Sequence, residues 1–316
     1  MIVKQKIDTE KKRPLVSIGV PVYNGEKYLE ECLESILNQT YDQWECVICN
    51  NSSTDRTPAI AEKYVKKDSR FKLLHTSELL SVTANWNFCF SYIDDASDYF
   101  KILPADDWLF PNFISEMVFL MEAHPEIDLC SSYRMVNRRV VGEGLDFYEG
   151  NVFNGKEILT KELKHELNIT SAVNAILYRV DALKELDYYP LIFQEESFHI
   201  DTYLSYELLI KSNLGFVFQV LSYTRRHEDT ITSNVSDRLN TTLYFREFSL
   251  HKYKILDASL EKEYDRTRLR YAYFLLKSRF LSWNDTLDWH NDRLKRRIQF
   301  KEYLLAVIKR IIGKRL

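Results

Sequence analysis

Short apolar runs alternate with helix-period segments over the first half of the chain, a pattern that predicts strand–helix–strand units and a mainly parallel sheet. Leu15–Val22 (LVSIGVPV) reads as a buried first strand, and Glu26–Asn38 then sets Tyr28, Leu29, Cys32, Leu33, Ile36 and Leu37 on one helical face. Trp44–Cys49 predicts the second strand. A polar loop, 50–57, and a helix opened by Pro58 follow it. Phe71–His75 predicts a third strand, Val82–Ile93 a helix, Tyr99–Leu103 a fourth strand and Pro111–Glu122 a helix, with Ile127–Ser132 closing this block as a buried strand.

From Arg134 the pattern loosens into a stretch containing Gly142, Gly144, Gly150 and Gly155, which reads as a long loop or irregular hairpin. A helix over 156–167, a strand over 175–178, a helix over 201–212 and strands over 216–226 follow, and after Asn234 the chain turns helical, aromatic and basic.

Composition narrows the class. The 316 residues leave room for a substantial core, and 43 Lys and Arg against 46 Asp and Glu give a net charge of -3, which argues against a surface built to hold nucleic acid. The five cysteines cannot all pair and have no framework spacing, as expected of a reducing compartment. Cys46 and Cys49 read C-x-x-C, but three positions apart on a strand their side chains point to opposite faces. The polar N-terminus and the lack of any run of ~20 apolar residues lead to the expectation of a cytosolic protein, at most attached to a membrane surface.

In an open parallel sheet, ligands bind beyond the carboxyl ends of the strands. Polar groups follow the predicted strands at Pro21-Val22-Tyr23-Asn24, at Asn50-Asn51-Ser52-Ser53-Thr54-Asp55 and at Asp106-Asp107, and Asp201 opens a later helix. No glycine-rich phosphate loop occurs, so a bound diphosphate needs another source of neutralisation. Adjacent carboxylates at a strand end can hold Mg2+ or Mn2+. The same doublet also suits the N-terminal dipole of the helix that follows it.

The runs Val20-Pro21-Val22-Tyr23-Asn24-Gly25-Glu26, Ile36-Leu37-Asn38-Gln39-Thr40-Tyr41 and 50–55 resemble the opening of family 2 glycosyltransferases. The likeness continues through Asn85-Trp86-Asn87, Ala105-Asp106-Asp107-Trp108-Leu109-Phe110-Pro111 and Tyr223-Thr224-Arg225-Arg226-His227, so it spans roughly residues 14–234. It implies an α/β, Rossmann-like nucleotide-diphospho-sugar transferase fold of the glycosyltransferase A type, with a mostly parallel central sheet. The implied catalytic domain is 1–235, a nucleotide-sugar half at 14–133 and an acceptor half at 134–235, followed by a helical extension at 236–316.

Carried over by position, the resemblance implies that Pro21 and Tyr23 line the base pocket and that Asn51 stands where relatives often place an aspartate accepting the base N3–H. Asn85 and Trp86 would shape the donor pocket, with ordinary core packing as the alternative for Trp86. Asp106 would meet the ribose or sugar, and Asp107 would bind Mn2+ or Mg2+ with a contribution from His227. The family's first aspartate of this motif is Pro104 here, so the metal rests on the doublet. Asp201 would be the base of an inverting transfer, with helix capping as its structural alternative and Glu195 and Glu196 as rivals.

The expected reaction moves one sugar from a UDP- or dTDP-type donor to a saccharide or lipid-linked saccharide, in surface polysaccharide assembly. No Gln-x-x-Arg-Trp run of the processive synthases occurs. A sugar nucleotidyltransferase or a non-catalytic carbohydrate-binding module on the same fold are the alternatives. Residues 293–316 hold nine Lys and Arg against one Glu, a net of +8 that leaves -11 on the other 292 residues. Their apolar stripe suits either peripheral contact with an anionic membrane or packing against protein.

Overall fold

The computed structural model describes residues 13–164, 166–170, 172–186 and 200–227, with Tyr253 and Ile308. β1 (Val16–Val22), α1 (Leu29–Leu37), β2 (Trp44–Asn50), α2 (Thr57–Lys67), β3 (Phe71–His75), α3 (Val82–Ser91) and β4 (Tyr99–Ile102) follow the alternation expected from the sequence. Every residue of β1, β2 and β4 is buried, as strands covered on both faces require.

The remaining elements are β5 (Trp108–Leu109), α4 (Phe113–Ala123), β6 (Ile127–Val136), β7 (Arg139–Val141), β8 (Val152–Phe153), α5 (Gly155–Leu163), β9 (Ile176–Arg179), α6 (Val180–Glu185), α7 (Ile200–Leu209) and β10 (Asn213–Thr224). They join one sheet in the order β3-β2-β1-β4-β9-β6-β10-β5, with β7 on β6 and β8 on β10. Parallel pairing dominates the sheet; β9 runs antiparallel to both β4 and β6.

β2 lies on one side of β1 and β4 on the other, so the chain reverses direction across the sheet at this point. The crevice beyond the carboxyl ends of β1, β2 and β4 is therefore where a ligand fits such a sheet. One hydrophobic cluster gathers Leu29, Leu33, Ile36, Met117 and Met121 on one face. The other gathers Phe90, Leu159, Leu163, Leu204 and Phe216. Cys46 belongs to the first and Cys49 to the second, which confirms their opposite orientation; all five cysteines are free and buried.

Two elements depart from the expectation. Ile127–Ser132 was expected to close the block, yet β6 runs on to Val136 and lies inside the sheet between β9 and β10. Arg134 interrupts the apolar run there, and it is only 8% exposed. The stretch after the acidic doublet forms β5, which pairs antiparallel with β10, before α4 begins. The loop or hairpin expected after Arg134 is real: β7 folds back on β6, and Gly142, Gly144 and Gly150 take positive φ. The 236–316 extension and the Glu195–Glu196 pair lie outside the described residues, apart from Tyr253 and Ile308.

Candidate active site

The loops after β1 and β2 are knitted into one wall. The Asn24 amide N–H donates to Ser53 Oγ at 2.9 Å and Asn24 Oδ1 accepts from the Thr54 N–H at 2.9 Å. The N–H groups of Gly25 and Glu26 donate to Thr57 Oγ1 at 2.8 Å and Asp55 Oδ2 at 3.0 Å. Asn24 and Ser52 take φ of 48° and 54°, the left-handed turns that let the two strands end abruptly here. Pro21 is buried within β1, whereas Tyr23, just beyond its end, is half exposed.

Asn51 is buried and its amide is largely committed. Nδ2 donates to the Leu80 carbonyl at 2.9 Å, and Oδ1 accepts from the Leu80 N–H at 2.8 Å and from Thr76 Oγ1 at 3.2 Å. These bonds hold the segment that leads into α3, and leave the side chain one N–H to offer. Asn85, in the first turn of α3, is also buried, with Oδ1 unpaired.

Asp106 and Asp107 follow β4 but point to different partners. The Asp106 Oδ2 lies 3.0 Å from His227 Nε2, so the histidine expected beside Asp107 sits against Asp106. Asp107 is 5% exposed, and its Oδ1 accepts the Arg225 N–H at 2.8 Å. Burial, reinforced by the Asp106 charge, raises the Asp107 carboxyl well above the usual carboxylate range, against the pull of the Arg225 N–H, Lys101 and Arg134.

Arg225 closes this side of the site. Its Nε donates to the Asp106 carbonyl at 3.1 Å, it pairs with Glu31, and its guanidinium lies 4.5 Å from the Tyr28 ring and 4.9 Å from the Trp108 ring. Trp108 stacks on Tyr223 at 3.7 Å across the β5–β10 pair. The segment carrying His227 is thus fixed to the segment carrying the doublet.

Asp201 stands in the first turn of α7. Burial pushes its carboxyl up to about 6, although N–H groups of Thr202 and Val173 and the Arg134 charge favour the ionised form. Thr202 donates its N–H to Asp201 Oδ1 at 2.7 Å. The Val173–Ala175 3-10 turn supplies the Val173 N–H, and Lys101, fully buried on β4, donates its Nζ to the carbonyls of Val173 at 2.6 Å and Ile176 at 3.1 Å. Asn174 Nδ2 of the same turn donates to Thr224 Oγ1 at 2.8 Å. Buried Glu162 fixes the approach to the turn by accepting the N–H groups of Ile169 at 2.7 Å and Thr170 at 2.8 Å.

Sequence reading missed Lys101, Arg134 and this turn. A charge inside an otherwise apolar strand was the available signal, since Lys and Arg are seldom buried without a partner. No cluster of three His, Cys, Asp or Glu occurs among the described residues. Mg2+ sites can rest on one or two carboxylates with substrate phosphates completing the shell, and Asp106 is the carboxylate here that could serve in that way, with His227 beside it.

Comparison with known proteins fits this arrangement. EpsH, a glycosyltransferase of Bacillus subtilis, is 40% identical over 118 residues, 37% of this chain and 32% of its own length. The chain therefore spans about a third of that relative. The solved structure of Staphylococcus aureus TarS 1-349 in complex with UDP-GlcNAc superposes with a TM-score of 0.64 at 17% identity, covering 95% of this chain and 83% of TarS 1-349. The mannosyltransferase PcManGT of Pyrobaculum calidifontis, in complex with GDP-Man and Mn2+, gives a TM-score of 0.57 at 14% identity over 96% of this chain and 89% of that one. The profile of Glycosyl transferase family 2 matches residues 17–186, more than half of the sequence, and with the α/β sheet of the glycosyltransferase A type this establishes that the chain belongs to glycosyl transferase family 2.

Proposed function

We propose that the protein is an inverting glycosyltransferase that moves a single sugar from a UDP- or dTDP-type nucleotide-diphosphate donor to a hydroxyl of a saccharide or lipid-linked saccharide, in surface polysaccharide biosynthesis. The observation that carries this reading is the presence of two separately held acidic positions, Asp106–Asp107 with His227 and Asp201 on the Val173 turn, with the charges of Asp107 and Asp201 both acting on Arg134. An inverting displacement needs that division: one side receives the departing diphosphate, the other takes the proton of the attacking hydroxyl.

In this reading Tyr23 packs on the base, and Pro21, Asn51 and Asn85 shape its pocket from behind. The last free N–H of Asn51 suits a base carbonyl better than the base N3–H. Asp106 and His227 would hold Mn2+ or Mg2+, and buried Asp107 fixes Arg225 beside them. A bound metal ion would supply positive charge to offset that of the departing diphosphate. Asp201 accepts the acceptor proton, and its raised affinity for protons suits a base working near neutral pH.

The mannosyltransferase solved with GDP-Man and Mn2+ and TarS solved with UDP-GlcNAc support a metal-assisted nucleotide-sugar reading. Among the described residues no helix is long and apolar enough to cross a membrane. Cytoplasmic work, with the +8 segment at 293–316 resting on an anionic membrane face, completes the proposal. Incubating the protein with a panel of nucleotide sugars and Mn2+ and following nucleoside diphosphate release tests it. Release from one donor, stimulated by an acceptor, supports the reading; no release across the panel rejects it.

A further inference from the structure

Arg134 is 8% exposed on β6, and its Nε is buried with no hydrogen-bond partner. Directly across the β6–β10 register stands Ser222, fully buried, whose Oγ is also unpaired. The pairing follows a register irregularity between Val220 and Ser222, and it sets a buried donor and a buried hydroxyl at the same level of neighbouring strands, each without a hydrogen-bond partner. Leaving such groups unsatisfied is costly, and for a guanidinium more so than for a hydroxyl.

Their position narrows what completes them. β6 lies between β9 and β10. The 3-10 turn that leads into β9 holds Asp201, and the residue that follows β10 holds Asp107. The charges of both Asp201 and Asp107 act on Arg134, together with those of Arg226 and Glu162. Arg134 therefore already feels three carboxylates, and its Nε lacks a hydrogen-bond acceptor rather than an anion. In an inverting displacement, the group between the leaving-group side and the base is the transferred sugar, which offers neutral hydroxyl oxygens.

We propose that Arg134 and Ser222 form the hydroxyl-reading subsite for the transferred sugar, with Arg134 donating from Nε and Ser222 exchanging a hydrogen bond with the same ring. The assignment rests on the glycosyltransferase reading above and adds to it the residues that select the sugar. They are specificity-determining residues: they touch the sugar and leave the nucleotide alone.

The test compares nucleotide with nucleotide sugar. Binding of UDP or dTDP, and of the panel sugar nucleotide that the wild-type protein binds most tightly, is measured by calorimetry with Mn2+ for wild type, Arg134→Gln, Arg134→Lys and Ser222→Ala. The expected result for Arg134→Gln is a nucleoside diphosphate affinity within twofold of wild type and at least a tenfold loss for the sugar nucleotide. Ser222→Ala is expected to lose two- to fivefold on the sugar nucleotide alone. Arg134→Lys keeps the charge but cannot place the Nε donor, so it is expected to recover little. The melting temperature of Arg134→Gln should hold or rise, whereas a residue serving only the fold would lower it. Equal losses for nucleotide and sugar nucleotide, no loss for either, or a rise confined to the acceptor KM would overturn the assignment. If Arg134→Gln does not fold, Arg134→Lys and Ser222→Ala decide by the same comparison. A wild-type protein that binds no nucleotide at all overturns the glycosyltransferase reading and this subsite with it; nucleotide binding with no discrimination by the variants overturns the subsite alone.

Discussion

Lys101 Nζ donates to the carbonyl of Val173 at 2.6 Å while the N–H of Val173 supports the Asp201 carboxylate. One buried lysine on β4 thereby links the strand that delivers Asp106 and Asp107 to the turn that holds the proposed base. Burial lowers the ammonium well below the usual lysine range, with Asp107 acting to hold its charge. The cation also lies 4.8 Å from the Phe113 ring.

Lys101→Met retains volume and removes the donor, leaving two carbonyls to relax. The Val173 turn should loosen and Asp201 should lose its fixed position. The expected outcome is a fall in kcat of about tenfold or more with donor KM within about twofold, by the logic that misplacing a reacting group costs rate before it costs binding. Steady-state kinetics on the preferred donor check it, and an equal rise in KM would place the lysine in donor binding instead.

Asp201→Asn should spare nucleotide-sugar binding and abolish transfer, because the amide cannot take the acceptor proton. It should also stabilise the fold. The folded-state carboxyl titrates at about 6 against an ordinary 3.8, so above pH 6 the folded protein bears the cost of an ionised, desolvated group. That cost fades as pH falls through about 6 toward 4. Discounted for the residual exposure of Asp201, removal should contribute on the order of 1–2 kcal/mol at pH 7.5, seen as a higher melting temperature.

The same group sets a pH profile. Transfer should rise with unit slope as pH increases through about 6, as Asp201 deprotonates, and then level off. In the Asp201→Asn protein any residual rate should lack that limb. A profile flat from pH 5 to 8 would remove Asp201 from the rate-determining proton transfer.

Asp106→Ala and His227→Ala each remove one of the two converging donors 3.0 Å apart. Each should raise the Mn2+ concentration for half-maximal activity by tenfold or more. Asp107→Ala acts differently, because it releases the Arg225 backbone and leaves a void at a buried position; it should lower the melting temperature as well as activity. Metal titrations and thermal melts distinguish the two patterns.

Most of the parallel half of the fold was legible in the sequence, because buried strands such as β1 and β2 are mostly apolar runs. Pro58 marked the start of α2 and the polar loops marked the strand ends. What escaped was set by pairing at a distance. β6 looked finished at Ser132 because Arg134 broke its apolar run, and β5 is two residues long, defined by its bonds to β10. The carboxylates of the site were legible as residue types in place; the partnership of His227 with Asp106, and the commitment of Asn51 to Leu80, were not. Such partners depend on side-chain direction after the chain has folded back, which local spacing does not encode. Lys101 and Arg134 carried the one usable hint, a charge where an apolar residue belongs.

The most direct test of the central claim is the anomeric configuration of the product, read from the proton NMR coupling at the newly formed glycosidic bond with the donor selected from the panel. An α-linked nucleotide sugar should yield a β-glycoside in the wild-type protein and no glycoside with Asp201→Asn. An α-glycoside would contradict the single-displacement account, as would full transfer by the Asn variant.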